Sequence, residues 1–397
     1  MTESGPLLLS INTGSSTVKL GLYCATIDSI ATSSALAAGQ NLSKIREFEG
    51  KATAEPGSST AGHAALVDGF LDQLTESGEA QRVVGVGHRL VHGGFEYRQP
   101  CRIDATVRGD LDRVVPLAPN HLPQALAVID RVAQRQPDWP QVACFDTAFH
   151  RTLPPRARTL GLTHQLAEEG IIRFGFHGLS YEYLVECLRR LDPDRLGGRA
   201  VLAHLGNGAS MAAVDRGICI DTSMGFTPIG GLVMGTRSGD LDPGVLAYLL
   251  ESQHWAPADV TRLVSKQSGL LGISGTTADM RELMARRATD ERAHAAVELF
   301  CYQAKKFLAA YAGALGGLDT VVFTGGIGQH APEIRAQICE NLEFLGLRLD
   351  AERNAAQRPV ISATGSAVIV RLIPTDEDQM IARHTHALLH TPDSAVK

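Results

Sequence analysis

The chain has 397 residues, 44% of them apolar, and a formal net charge of −6 at pH 7. That length supplies two or three domains at ~100–200 residues each, and the apolar share fills a large core. The charge comes with no basic block, which argues against nucleic acid as a main partner. No apolar run nears the ~20 residues that span a bilayer.

Seven cysteines, Cys24, Cys101, Cys144, Cys187, Cys219, Cys301 and Cys339, share no metal-ligand or redox-motif spacing. They read as free buried thiols of a reducing compartment. Leu7 to Ile11 is too short an apolar run for a signal peptide, so a cytoplasmic location is expected.

Leu7 to Ile11 reads as a buried strand, and Val18, Leu20 and Leu22 alternate with Lys19, Gly21 and Tyr23 as a half-buried one. Between them Asn12-Thr13-Gly14-Ser15-Ser16 is a hairpin tip of small hydrogen-bonding residues suited to an anion, with Lys19 just beyond. The tip lacks GxxxxGK followed by Ser or Thr, so it is no P-loop. Residues 28–62 carry little pattern. His63 to Leu74 has helical spacing at Leu66, Val67, Phe70, Leu71 and Leu74. Val83 to Val86 reads as a strand running into Gly87-His88-Arg89-Leu90-Val91-His92. Arg89 is thereby expected at the carboxyl end of a central strand, where open α/β sheets place ligand residues; the plain alternative is a surface salt bridge.

Pro116 to Pro123, PLAPNHLP, is a proline-bounded loop containing His121 and leading into a helix at Gln124 to Gln134. Val142 to Phe145 is a strand ended by Asp146, either a catalytic carboxylate or a cap for Thr147. Pro154 and Pro155 mark a crossing between domains. His177 lies among aromatics and glycines, where its charge would count for more; the alternative is a satisfied core histidine.

Arg199 to His204, Gly206-Asn207-Gly208 and Ala209 to Val214 form a strand–turn–strand hairpin. The small turn residues let backbone N–H groups approach an anion. Arg237, between Gly235 and Gly239 in a loop without apolar period, points to a phosphate or carboxylate ligand. Asp242-Pro243 and Thr276 to Arg281 read as helix starts, with Asp279 in the first turn of the second. Glu291 to Leu315 is a long helix with a core face of Val297, Phe300, Ala304, Phe307 and Tyr311, stopped by Gly316-Gly317. Thr320 to Phe323, Gly325-Gly326-Ile327-Gly328 and a helix from Pro332 form a strand–turn–helix suited to phosphate or ribose. Ala367 to Ile373 is the last strand, and Thr375-Asp376-Glu377-Asp378 opens the last helix.

Taken together, INTGSSTVKL, GHRLVHGG, FDTAFH, GFHG, HLGNG, DTSMGFTP, GLVMGTRSGDLDPG, DMR, TGGIG and IPTDED, spread from residue 11 to residue 378, resemble the acetate kinase family. These are the acetate and propionate kinases of the actin-like, sugar-kinase-like ATPase superfamily. The resemblance implies an α/β fold of two duplicated RNase H-like (βββαβαβα) domains, residues 1–148 with 379–397 and residues 149–378, with nucleotide in an interdomain cleft. It implies a homodimer and reversible phosphoryl transfer from ATP to acetate or a similar short carboxylate. It assigns catalytic roles to Asp146, His177, Arg237, Arg89 and His121. Arg89, Val91, Asn120, Phe176 and Pro228 would contact the substrate. Lys19, His204, Leu205, Gly206, Asn207, Gly208, Asp279, Met280, Arg281, Gly326, Ile327, Gly328, Gln329 and His330 would contact ATP. Mg2+ or Mn2+ would sit near Asn12 and Glu377.

The chemistry agrees. A carboxylic acid has a pKa of roughly 4–5, so at neutral pH it is already a nucleophile and needs no base. The obstacle is repulsion between two anions, so cations and positioning carry the catalysis. Three departures stand out. LAPNHLP replaces the more usual LAPLHNP, setting Asn120 where an apolar residue is expected; GGIGQH and TPIGG replace AGIGEN and TPLEG. Propionate or a more polar acid is therefore the alternative substrate. Two other classes are weighed. A sugar-kinase-like enzyme would phosphorylate an alcohol and need Asp146 as base. A nucleotide-gated interaction module would lack the arginines and histidines.

Overall fold

The computed structural model of the chain describes residues 5–14, 17–25, 42–51 and 59–390. Ser15 and Ser16, at the first hairpin's tip, lie outside the described residues. Two compact units are present: unit 1 runs up to Phe149 and resumes at Asp376, and unit 2 is His150–Thr375. The return to unit 1 begins at Asp376 rather than at 379, so Glu377 belongs to unit 1.

Unit 1 opens with β1 (Leu7–Thr13), β2 (Thr17–Ala25) and β3 (Leu42–Lys51), then α1 (Ser59–Glu76) and β4 (Val83–Leu90). β5 (Cys101–Arg102), α2 (Ala105–Val114), α3 (Leu122–Arg135) and β6 (Gln141–Phe145) follow. Unit 2 contains α4 (Gly178–Leu191), β7 (Arg199–Leu205), β8 (Ala209–Asp215), β9 (Ile218–Thr222), α5 (Glu291–Leu315), β10 (Thr320–Thr324), α6 (Pro332–Cys339) and β11 (Ile369–Leu372). α7 (Glu377–His390) completes unit 1.

The sheets have orders β3-β2-β1-β4-β6-β5 and β11-β10-β7-β8-β9. In each, a three-stranded antiparallel meander is extended by two parallel strands added beside its first strand. Unit 2 therefore repeats unit 1, apart from the short β5 on unit 1's edge. This is the duplicated RNase H-like arrangement expected from the sequence.

β1 is buried along its whole length because both faces are covered. Leu7, Leu9 and Ile11 join Val67, Phe70 and Leu71 of α1 and Val128 and Val132 of α3. Leu8 joins Tyr23 of β2 and Ala382 of α7 on the other face. The expectation of a half-buried β2 is thus corrected: from Leu20 to Ala25 the strand is buried, since α7 covers the face that alternation assigned to solvent. Sequence periodicity also missed β3. Its Lys44, Ile45, Glu47 and Glu49 are exposed, the charged dressing of an edge strand.

The strand expected at Val83 to Val86 extends to Leu90, so Arg89 is itself a β4 residue. α3 starts at Leu122 rather than Gln124; Pro123 fits its first turn, where no intrahelical N–H is required. Asp279 is the N-cap of the helix Met280–Arg286, not a first-turn residue. α5 has the expected ends, and Gly316 closes it in a left-handed conformation (φ 70°).

Two β4 glycines set the position of α7. A Cβ on Gly85 would lie 2.3 Å from Leu389 Cδ1, and one on Gly87 would lie 2.1 Å from Thr385 Oγ1 and 2.5 Å from Ile381 Cγ2. The helix rests on bare strand backbone, a common reason for glycine inside a strand. Gly87→Val should therefore overpack this seam by ~1–3 kcal/mol, read as a lowered thermal midpoint. Gly69→Ala, on an exposed part of α1 with open space around the added Cβ, should instead raise stability by up to about 1 kcal/mol. Equal midpoints in the two variants would remove the close-approach argument.

Candidate active site

Each unit carries its own cluster of polar side chains. In unit 1 the parallel strands β1, β4 and β6 deliver residues to one edge of the sheet. Asn12 and Arg89 are the penultimate residues of β1 and β4, and Asp146 follows β6 directly. The Arg89 guanidinium donates to Asp146 through Nε (3.1 and 3.2 Å) and Nη2 (2.6 Å). Its Nη1 donates to Asn12 Oδ1 at 3.0 Å and lies 3.6 Å from Glu377 Oε2, which accepts from Asn12 Nδ2 at 3.0 Å. Asp146 is 1% exposed and Arg89 15%. Such a pair is tolerated in the interior only when its hydrogen bonds are made. Burial disfavours the Arg89 charge, but Asp146 and Glu377 more than offset it, and the guanidinium titrates above its ordinary range. Neighbouring Asp378 is buried. Desolvation first, then Glu377, raise its carboxyl to about 6.

The other unit 1 candidates take varied positions. Val91 is buried just beyond β4, Asn120 is half-buried in the turn before α3, and His121 is the N-cap of α3. Lys19 stands opposite Asn12 in the β1–β2 hairpin, with Nζ 3.7 Å from Glu49 of β3. Both side chains are exposed, so this is a solvated cross-strand ion pair.

In unit 2, His177 caps α4 in a left-handed conformation (φ 56°, ψ 27°), uncommon for a side-chain-bearing residue and frequent at working sites. Its ring stacks on that of His204 from β7, with centroids 4.3 Å apart and planes 16° apart. His177 Nδ1 is 2.8 Å from Ser210 Oγ, and His204 Nδ1 is 2.8 Å from Ser180 Oγ. His204 and Ser210 are directly paired across β7 and β8, while His177, Ser180 and Tyr181 share one face of the first turn of α4. Charging both rings would set like charges ~4 Å apart, at roughly 4 kcal/mol for an effective dielectric of 20.

Both rings turn Nε2 toward the Gly206-Asn207-Gly208 turn. A Cβ at Gly208 would lie 3.3 Å from His177 Nε2 and 3.7 Å from Arg237 Nη1, and one at Gly206 would lie 3.9 Å from His204 Nε2. The arginine is therefore delivered to the same turn, with its Nη1 donating to Pro228 O at 2.9 Å. The turn docks on the Arg237 loop: Gly235 N–H donates to Asn207 O at 3.0 Å, and a Cβ there would meet Asn207 Oδ1 at 2.0 Å. Phe176 is buried, its carbonyl accepting from His150 Nε2 at 2.9 Å.

Beside the turn lies a cavity of about 880 Å³ whose wall includes Gly206, Asn207, Asp279, Arg281, Gly326 and His330. That is within the ~300–1,000 Å³ of small-molecule sites. Met280 and Ile327 also line it; the stretch expected as a glycine turn is a short helix, Gly325–His330, because its backbone closes helical hydrogen bonds straight after β10, and Gly328 and Leu205 are buried. Gln329 points its amide to Thr324 Oγ1. Asp279 and Arg281 pair locally at 2.6 Å, and the Arg281 side chain is 91% exposed. Sequence reading missed Arg335, which is fully buried and holds the carbonyls of Gly328 (2.9 Å) and Gln329 (2.7 Å). Burial brings its pKa down to about 10. It also missed Ser180, Tyr181 and Ser210, whose only local signal is helical or strand spacing.

Known proteins share the whole chain's sequence pattern and fold. The profile of the Acetokinase family matches residues 7–383. An acetate kinase of Rhodopseudomonas palustris is 42% identical over 399 residues, covering 96% of this chain and 98% of the relative. One from Methylocella silvestris is 47% identical over 307 residues, 77% of this chain and 76% of the relative. Among solved structures, a propionate kinase from Francisella tularensis superposes with a TM-score of 0.83 at 34% identity, covering 96% of this chain and 99% of that one. The Porphyromonas gingivalis acetate kinase gives 0.80 at 33% identity, covering 97% and 100%. The chain belongs to the acetokinase family, ATP-using phosphotransferases with a carboxyl group as acceptor.

Proposed function

We propose that this chain transfers the γ-phosphoryl group of ATP to acetate, reversibly and by direct in-line attack, giving acetyl phosphate and ADP. The observation that carries this reading lies in unit 2. Arg237 and the Nε2 atoms of His177 and His204 converge on the glycine turn that also walls a nucleotide-sized cavity. A guanidinium and ring N–H donors at that edge suit an equatorial phosphoryl oxygen, whose charge grows in the transition state. His204 to Gly208, Asp279 to Arg281 and Gly326 to His330 are the proposed nucleotide contacts. Lys19 and His121 add positive or polarisable donors.

Arg89 binds the acceptor carboxylate. Asp146 orients that arginine rather than acting as a base, since both its oxygens already accept from the guanidinium. Val91, Asn120, Phe176 and Pro228 are the proposed acyl contacts. Asn12 and Glu377 offer the hard oxygen donors that Mg2+ or Mn2+ prefers. Among the described residues no cluster of three or more His, Cys, Asp and Glu forms a protein-only cage, in keeping with an ion that retains water and phosphate ligands. When bound, that ion offsets charge on the β and γ phosphates.

The working form is a cytoplasmic homodimer. Leu241, Val245, Tyr248, Leu250 and Trp255 are exposed within one short stretch of unit 2, apolar side chains that a second copy would cover. The cysteines of the described residues are unbridged, and no helix among those residues is long and apolar enough to cross a membrane. Asn120 favours one second reading: a half-buried amide set where an apolar residue is usual would find a hydrogen-bond partner in a polar short-chain acid.

With ATP and acetate, hydroxylamine trapping should give acetohydroxamate, and Arg237→Ala should cut kcat by the ~100–1,000-fold typical of a lost transition-state donor while the melting curve stays in place. Unchanged turnover in that variant would remove Arg237 from the chemistry. Asn120→Leu should move kcat/KM toward acetate and away from a hydroxylated acid by about tenfold, about 1.4 kcal/mol; a ratio that stays put would take Asn120 out of the pocket. Tyr248→Glu with Trp255→Glu should halve the mass seen by light scattering, whereas a persistent dimer would place the interface elsewhere.

A further inference from the structure

We infer that Tyr181 and Ser210 form a relay that holds the neutral His177 ring with its proton on Nε2, as a donor. The inference rests on the proposed phosphoryl transfer for its purpose but not for its geometry. Ser210 Oγ lies 2.8 Å from His177 Nδ1 and is hydrogen-bonded to the Tyr181 hydroxyl. Both Ser210 and Tyr181 are fully buried, so water does not compete for these groups.

The direction of the chain follows from counting protons. A serine hydroxyl carries one proton and two acceptor lone pairs. The phenol, with a pKa of about 10, is a stronger acid than an aliphatic alcohol, so Tyr181 donates and Ser210 accepts. Ser210 is fully buried, and a buried hydroxyl proton is rarely left unsatisfied, so Ser210 in turn gives its single proton to His177 Nδ1. A neutral imidazole whose Nδ1 accepts must carry its hydrogen on Nε2. That atom faces the Gly208 turn beside the Arg237 guanidinium, where a donor adds to the field and an acceptor would oppose it.

His204 is an internal contrast. Its Nδ1 also meets a serine, Ser180, yet among the described residues no second hydroxyl is hydrogen-bonded to Ser180. The helix makes the difference: Tyr181 lies four residues after His177, its N–H donating to the His177 carbonyl at 3.1 Å, which brings phenol and imidazole onto one side of α4. Tyr181 and Ser210 are positioning residues, acting through His177.

Long-range 1H–15N spectra of the whole 15N-histidine-labelled protein test the relay directly, with His177→Gln assigning the ring. Wild type should show one neutral tautomer, protonated at Nε2. Tyr181→Phe and Ser210→Ala should each give a mixture, with kcat lowered about tenfold and KM for ATP and acetate unchanged; Ser210→Thr should restore both. A single Nε2–H tautomer with undiminished kcat in Tyr181→Phe and Ser210→Ala would overturn the relay, and so would a wild-type ring protonated at Nδ1. The spectrum requires no turnover. Failure of wild type to make acyl phosphate would therefore defeat the functional reading alone, while the tautomer pattern still decides the relay.

Discussion

Unit 1 is organised by one buried guanidinium. Arg89 reaches three oxygen-bearing groups that come from the ends of β1 and β6 and the start of α7. Removing any one of them leaves charge or amide polarity uncompensated where water has little access, which is costly. The same requirement makes the arrangement reproducible: a cation with five N–H donors in a planar fork fits few geometries. The strand ends, the last helix and the side chain that is proposed to meet an anionic substrate are thus mutually fixed.

Glycine supplies the second constraint, in a different way in each unit. On β4, Gly85 and Gly87 let α7 lie against the strand, which sets where Glu377 begins its helix. In unit 2, Gly208 leaves the space through which His177 Nε2 and Arg237 Nη1 approach the turn, and Gly235 admits the Asn207 side chain. A Cβ at these positions would crowd the helix or the side chains packed against them. The rows of glycine that look like flexible punctuation in the sequence are, in this fold, contact surfaces.

Much of the architecture was legible because it is local. The β7–β8 hairpin announces itself by apolar runs about a Gly-Asn-Gly turn, and α5 by its 3.6-residue spacing and terminal glycines. What failed was whatever depended on a distant cover. β2 reads as half-buried because α7, more than 350 residues later, is the element that covers its second face. β3 escapes because an exposed, charged edge strand has no apolar period to detect. The same distance hides the candidate site: Asn12 and Glu377 are 365 positions apart and share a hydrogen bond, a relation that spacing does not encode. The resemblance placed the two residues together at a metal ion; it did not say that Arg89 ties them together. Ser210 and Tyr181 were invisible for the opposite reason, since each fits its strand or helix perfectly well as filler.

The class of acceptor follows from which groups are already spent. A hydroxyl acceptor requires a base that can leave its partners and take a proton during attack. In unit 1 both Asp146 oxygens accept from Arg89, at 2.6 to 3.2 Å, so taking a proton would mean breaking the contacts that keep the arginine in place. A carboxylate acceptor asks for none of this. It arrives already deprotonated, and what it needs is a cation held rigidly enough to offset its repulsion from the phosphate chain. An aspartate locked onto an arginine is a poor base and a good anchor, so the ion pair itself argues that the acceptor is an acid rather than an alcohol.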